Sequence, residues 1–314
     1  MTRPRVGIVG ARRRRQGLGP FVARDLVAAG AEVPCFLATG EATLEPARRA
    51  LRESAGIEAR GYLALGAMLA REALDALAIL SPAETHAHYL EAAARAGLSA
   101  LCEKPLVWSV PDLDARARQL VAGFVSRGLL LVENCQWPFA LPAFEALHPG
   151  ALASPPRRFE MELEPASRGL QSLGDALPHP ISLLQALLPG APRVRDVRFS
   201  TREPAEHLEV RFRWETDTAA CDATVRLSQS HRQPRRAELA IDGRRARRLV
   251  SSEGYRLCFA DAERSVPLPD PLTRLVQDFV HALRGGRATQ ADPILQRTHV
   301  LAAMAAAYGS EETG

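Results

Sequence analysis

Among 40 basic residues this chain carries 39 arginines and a single lysine, Lys104. A guanidinium stays protonated at any working pH, whereas a desolvated ammonium can give up and regain a proton near neutrality. A chain that uses arginine wherever a positive charge suffices keeps lysine where a proton must move. Lys104 lies in Ala100-Leu101-Cys102-Glu103-Lys104-Pro105-Leu106, an apolar run that ends in a charged pair and a proline. The pattern predicts a buried strand whose C-terminal end opens into a cleft, where open α/β sheets place their sites. The competing reading is a lysine that survives by chance on a surface loop.

The elements that would position this lysine are legible over the first 133 residues. Short apolar runs at 5–11, 32–38, 74–81, 100–106 and 128–133 alternate with stretches of helical spacing at 21–29, 44–54, 86–96 and 111–126. Such alternation predicts βαβ units and a parallel sheet covered on both faces. After Gln136-Trp137-Pro138 the texture changes to polar/apolar alternation at 157–164, 194–201, 208–214, 221–228, 237–242 and 255–260, the mark of antiparallel strands with one wet face. A helix is expected at 180–188, and two more, at 272–284 and 294–308, close the chain. The fold class expected is α/β: a doubly wound parallel sheet of the Rossmann type over 1–133, followed by an α+β domain over 134–314 built on a large, mainly antiparallel open sheet.

The turn after the first strand is a candidate phosphate cradle. A dinucleotide site wants G-x-G-x-x-G, so that the chain turns tightly and approaches a pyrophosphate at a helix N-terminus. Gly7, Gly10 and Ala11 are followed by Arg12, Arg13, Arg14 and Arg15 before Gly17-Leu18-Gly19. The loop is therefore lengthened, and the glycine signal is irregular. The arginines read either as a solvated surface loop or as forks for phosphate. At the end of the second strand stands Thr39, with no acid before Glu41. An adenosine ribose in NAD usually meets Asp or Glu there, and a small neutral residue beside arginines suits a 2′-phosphate. This favours NADP over NAD.

At these residues the chain resembles a known family. Val6-Gly7-Ile8-Val9-Gly10, Ser81-Pro82-x-x-x-His86, Cys102-Glu103-Lys104-Pro105-Leu106 and the closing Phe279-x-x-Ala282-Leu283-Arg284-Gly285-Gly286-Arg287 are similar to the Gfo/Idh/MocA oxidoreductases. The resemblance implies a nicotinamide cofactor held by the first domain. It makes Lys104 the proton donor and acceptor in hydride transfer, puts Glu103 on the nicotinamide ribose, and allows a cis Lys104–Pro105 bond. Gly7, Gly10, Ala11, Arg12, Arg13, Gly17, Leu18, Thr39, Ser81, Pro82, His86, Glu103 and Lys104 become the cofactor-binding candidates. The family's D-x-G-x-H-x-x-D motif corresponds to Asp175-Ala176-Leu177-Pro178-His179-Pro180-Ile181-Ser182, with the first acid and the histidine kept and the last acid replaced by Ser182. Catalytic candidates are thus Lys104, His179 and Asp175, and Gln136 and Trp137 join them against the substrate. His179 could protonate or orient a substrate oxygen or nitrogen, or could simply cap its helix. Loss of the second acid leaves a carbonyl or imine substrate as plausible as a sugar.

The totals bound what remains. A net charge of +4 over 314 residues is mild and suits an anionic small molecule better than nucleic acid. Five scattered cysteines with no C-x-x-C pair, no secretory h-region and no apolar run of membrane length predict a cytoplasmic protein with reduced thiols. No metal site is expected: His86 and His88 lack a third ligand nearby in sequence. The leading expectation is an NAD(P)-dependent reductase or dehydrogenase of a small carbonyl, imine or hydroxyl compound, assembled as a homodimer or homotetramer through the second domain's sheet. Its rivals are a non-catalytic NAD(P)-binding sensor or scaffold, and a lyase or glycosidase that recycles a tightly held NAD.

Overall fold

The computed structural model describes residues 2–11, 17–202, 207–251 and 253–312. Arg12 and Arg13 lie outside the described residues. The chain divides into two compact units, one running to Asn134 and taking in Leu272–Leu295, the other formed by Cys135–Pro271 with the remainder.

In the first unit, β1 (Val6–Val9), β2 (Cys35–Leu37), β3 (Arg60–Tyr62), β4 (Ala76–Ile79), β5 (Ser99–Cys102) and β6 (Leu131–Glu133) alternate with α1 (Gly19–Ala28), α2 (Glu41–Ala55), α3 (Leu65–Arg71), α4 (His86–Arg95) and α5 (Leu113–Val125). The six strands pair in parallel in the order β3-β2-β1-β4-β5-β6. Every residue of β1, β4 and β5 is buried, which is why these strands read as unbroken apolar runs. The order reverses between β1 and β4, so the C-terminal ends of those two strands flank the crevice where such sheets take ligands. β3 and α3 are missing from the sequence reading, because three residues with an exposed arginine carry no strand period.

The second unit contains α6 (Leu141–Leu147), β7 (Arg158–Leu163), α7 (Leu170–Ala176), α8 (Pro178–Leu187), β8 (Arg193–Arg202), β9 (His207–Glu215), β10 (Ala220–Ser228), β11 (Ala237–Ile241), β12 (Arg244–Val250), β13 (Leu257–Ala260) and β14 (Ser265–Pro267). They form one eight-stranded sheet, β14-β13-β12-β11-β7-β10-β9-β8. All neighbours are antiparallel except β7 and β10, which pair in parallel. Inward residues Phe159, Met161, Val210, Trp214, Val225 and Leu239 are buried, and the residues between them point to the opposite face.

That opposite face is a lattice of ion pairs. Arg226 reaches Glu160, Glu162 and Glu209, and Arg245 reaches Glu160 and Glu238. Burial pushes the carboxyls of Glu209 and Glu238 up, but hydrogen bonds from Arg226 and Arg211 to the first, and from Arg245 to the second, outweigh it and hold both below the ordinary range. A carboxyl depressed in the fold adds stability above its unfolded pKa and loses it as pH falls through the folded one. Urea midpoints are therefore expected to drop as pH is lowered from about 5 to about 3. The Glu209→Gln, Glu238→Gln double variant should fall less steeply over that window; an unchanged slope would remove these two groups from the account.

The closing segment departs from the expected domain limits, which assigned 134–314 to one domain. α9 (Pro271–Arg284) leads to α10 (Ala291–Glu312), and Leu272–Leu295 count with the first unit. The reason is polar as well as apolar. Thr273 donates to Asp25 at 2.8 Å, Arg284 donates to the Gly30 carbonyl at 2.7 Å, and Thr289 donates to the Leu129 carbonyl at 2.7 Å. Val276, Phe279 and Val280 are buried on the same helix. Among the described residues no helix is long and apolar enough to cross a membrane.

Candidate active site

The glycine turn after β1 is built by close packing. Gly10 adopts φ +91°, a left-handed conformation that favours glycine, and a Cβ there would sit 2.5 Å from the Leu80 carbonyl oxygen. Gly19 opens α1, and a Cβ on it would lie 2.3 Å from the Gly10 carbonyl oxygen and 2.8 Å from Ala11 Cα. Gly19 thus plays the part of a fingerprint's last glycine, letting helix and strand turn touch. The sequence reading passed over Gly19 because the arginine run displaces it from the expected spacing. The N-cap, Leu18, supplies no side-chain cap, so no side chain competes for the first amides of α1. The described residues suit a dinucleotide pyrophosphate: glycines whose Cβ atoms would clash, Gly10 and Gly19, beside a helix start with no side-chain cap.

The ends of β4 and β5 are tied to one another by His86. Its ring is fully buried, with Nδ1 2.9 Å from the Pro105 carbonyl oxygen and Nε2 2.8 Å from that of Ser81. His86 therefore holds the loops bearing Ser81, Pro82 and Pro105 rather than presenting its own ring to a ligand. Ser81 and Thr85 hydroxyls lie 2.6 Å apart, and Thr85 donates to the Pro82 carbonyl at 2.7 Å. Replacing His86 with alanine removes the ring from between the two carbonyls, deprives at least one of them of its donor and opens a cavity, at an expected cost of about 3–5 kcal/mol. Chemical unfolding of His86→Ala measures it, and a loss below about 1 kcal/mol would refute the clamp.

Glu103 and Lys104 follow β5 directly, both half-buried, and the Lys104–Pro105 peptide is cis. The Glu103 amide donates to the Ile79 carbonyl at 2.8 Å, and its carboxylate accepts from Asn134 Nδ2. Leu106 N donates to the buried Glu133 carboxylate at 2.9 Å, anchoring the turn from below. The adjacent Cys102 thiol is driven well above its ordinary range by burial, then by Glu133 and Glu103, so it supplies no thiolate. Gly10, Ser81, His86, Pro105 and Glu103 thus form one linked edge. Thr39 follows β2 on the same edge of the sheet, exposed, with its hydroxyl 3.3 Å from that of Thr43.

The second unit gathers a different group. Asp175 lies near the end of α7, and His179 is in the first turn of α8, across the break at Leu177. The Asp175 carboxylate accepts from Ser167 Oγ at 3.0 Å. Ser182, which stands where an acid was expected, donates to the His179 carbonyl at 2.8 Å and is buried, so it is spent on the helix. The Trp137 ring, 5% exposed, meets His179 edge-on at 6.2 Å between centroids, and Arg248 lies over Trp137 at 5.6 Å. The side-chain oxygen of Gln136 is buried with no hydrogen-bond partner. Arg248 is one of four arginines in 244–248, and its place on the inward face is visible only once β12 is paired.

Residues 4–130 match the model of an oxidoreductase family with an NAD-binding Rossmann fold, Gfo/Idh/MocA. The match covers the first domain only, and there the chain is similar to the Gfo/Idh/MocA oxidoreductases. A D-apiose dehydrogenase of Paraburkholderia graminis is 38% identical over 110 residues, which are 34% of this chain and only 28% of that relative. A UDP-N-acetylglucosamine 3-dehydrogenase of Acidithiobacillus ferrooxidans is 25% identical over 83% of this chain and 86% of its own. The solved structure of that enzyme superposes with a TM-score of 0.70 over 98% of both chains at 23% identity. A 3-ketoreductase of Actinomadura kijaniata, solved with NADP and TDP-benzene, gives a TM-score of 0.68 at 20% identity, covering 96% of this chain and 97% of that one. At these identities the solved structures show a shared fold and no more.

Proposed function

We propose that the protein is an NAD(P)-dependent oxidoreductase acting on a hydroxyl or carbonyl carbon of a small polar substrate, with Lys104 as general acid and base. The reading rests on one observation: the chain's only lysine follows β5 at the C-terminal edge of a Rossmann sheet, on the turn that His86 ties to β4. The names of the relatives, which are sugar and sugar-nucleotide dehydrogenases and a ketoreductase, favour an alcohol/ketone pair over an imine.

A nicotinamide dinucleotide, when bound, supplies or accepts the hydride. The Gly10-to-Gly19 turn and the start of α1 would hold its pyrophosphate, Glu103 its nicotinamide ribose, and Ser81, Pro82 and His86 would support that edge. Thr39, where an acid would be needed against a free ribose hydroxyl, favours NADP over NAD. During oxidation the Lys104 amine takes the proton of the substrate hydroxyl; during reduction its ammonium returns a proton to the carbonyl oxygen. His179 is assigned the orientation of that oxygen, and Asp175, Gln136 and Trp137 contacts with the substrate. Positioning of the reactants contributes most of the rate, with the proton relay adding ~10²–10⁴-fold. The charged open face of the second sheet is proposed as the contact of a homodimer or homotetramer; light scattering that finds only monomer would refute it.

Absorbance at the nicotinamide band, followed with NADPH and NADH against a panel of keto sugars, polyols and simple carbonyls, tests the function. Turnover with NADPH favoured over NADH is the expected result. Tight binding without turnover, indifferent to Lys104→Ala, would replace the enzyme with a sensor.

A further inference from the structure

Two arginines on the inward face of the second sheet are treated unlike those on the open face. Strand alternation sends Arg245 and Arg247 to the open side, where both bond Glu238. Arg248, the next residue, faces the opposite way, over Trp137. Its Nη2 donates to the Arg235 carbonyl at 3.0 Å, and its Nε is buried with no hydrogen-bond partner. Arg235, just before β11, has both Nε and Nη2 buried without a partner. Neither guanidinium makes an ion pair among the described residues, whereas Arg226 and Arg245 share carboxylates with several neighbours.

Burial pushes the Arg248 guanidinium down, Tyr255 and Asp270 draw it back up, and Arg235 adds to the downward push. Burial likewise depresses Arg235, against the pull of Asp175 and Glu164. Guanidinium keeps its proton even so, and two partly buried like charges therefore stand near one another with idle donors shut off from water. Such an arrangement is costly unless something outside the chain completes it. One oxyanion would answer both costs at once, by accepting from the three idle nitrogens and relieving the repulsion. The guanidinium fork fits the paired oxygens of a carboxylate or a phosphoryl group, and a neutral hydroxyl would satisfy at most a single donor without countering the charge. Trp137 is the shared wall: Arg248 lies against it at 5.6 Å and His179 at 6.2 Å. The anion would thus sit one ring away from the histidine assigned to the substrate.

We propose that Arg235 and Arg248 bind an anionic group, a carboxylate or a phosphoryl, carried by the substrate beside Trp137. The assignment to substrate rests on the oxidoreductase reading; the anion site itself does not. It selects against a plain neutral sugar and for an acidic or phosphorylated one.

The first test needs no turnover. Calorimetric titration and thermal melts of the full chain are run with phosphate and with malonate, against chloride at equal ionic strength. Saturable binding and a raised Tm are expected with at least one of the two oxyanions, the stronger identifying the group. Arg235→Gln and Arg248→Gln should each weaken that binding about tenfold or more, and Lys104→Ala should leave it intact. Wild-type protein indifferent to both anions beyond the chloride control overturns the proposal, even if neither variant folds. An equal Tm rise in both arginine variants overturns it as well. The second test compares kcat/KM for a neutral sugar, its acid and its phosphate ester. A preference for a charged member of about tenfold or more should collapse toward one in Arg248→Gln, whereas a preference that survives there places the anion elsewhere. Absence of turnover with every substrate would defeat the enzyme reading while the binding data still decide the site.

Discussion

Lys104→Ala is expected to lower kcat by ~10²–10⁴-fold, about 3–5 kcal/mol of barrier, while dinucleotide affinity changes only a few-fold. The reason lies in the separation of tasks along the edge of the first sheet. In the proposed function the glycine turn and Glu103 carry the cofactor contacts, and Lys104 handles a proton that exists only on the substrate. Lys104→Arg is the sharper variant, because it keeps the charge and most of the length. A guanidinium cannot release its proton near neutrality, so Lys104→Arg should be as slow as Lys104→Ala. Single-turnover absorbance at the nicotinamide band, with binding measured separately by fluorescence, separates the two quantities. An arginine variant within about tenfold of the wild type would mean that only the charge matters, and the acid–base role would fail.

Gly19→Ala should be the most damaging single methyl in the first unit. Its Cβ would lie 2.3 Å from the Gly10 carbonyl oxygen and 2.9 Å from the Ala11 carbonyl carbon, both backbone atoms that cannot rotate away. α1 must therefore shift off the turn, at an expected cost of about 2–4 kcal/mol and about a hundredfold in dinucleotide affinity. Gly10→Ala meets the Leu80 carbonyl oxygen at 2.5 Å and adds the strain of φ +91°. Gly40→Ala is the control, since nothing lies within 4 Å of a Cβ there. Urea unfolding together with NADPH titration gives both numbers. If Gly19→Ala keeps wild-type affinity, the turn is not the pyrophosphate cradle.

Much of this was written in the chain itself, and for identifiable reasons. Parallel strands buried on both faces must be apolar throughout, so β1, β4 and β5 were visible as unbroken runs punctuated by glycine and proline. The lone lysine at the end of β5 needed no structure to be noticed, because its chemistry differs from that of the 39 arginines around it. The outward and inward faces of the second sheet were likewise legible as alternation, and its mainly antiparallel character followed.

Tertiary structure alone decided the rest, wherever the outcome depended on which distant segment came to lie alongside. Gly19 could be recognised as the close-packed glycine only when α1 was seen against Gly10, since eight residues lie between them and put it outside the usual spacing. His86 was legible as a strand-end histidine, but its two carbonyl partners, Ser81 and Pro105, are set by how β4 and β5 pair. Leu272–Leu295 returns to the first unit through bonds to Asp25, Gly30 and Leu129, partners about 150 to 250 residues away that no local pattern announces. The same holds for Arg248: in sequence it is one of four arginines in five residues, and only the register of β12 turns it, unlike Arg247, away from the carboxylates and onto Trp137. A period of two tells which residues share a face, but pairing tells which face is covered and by what.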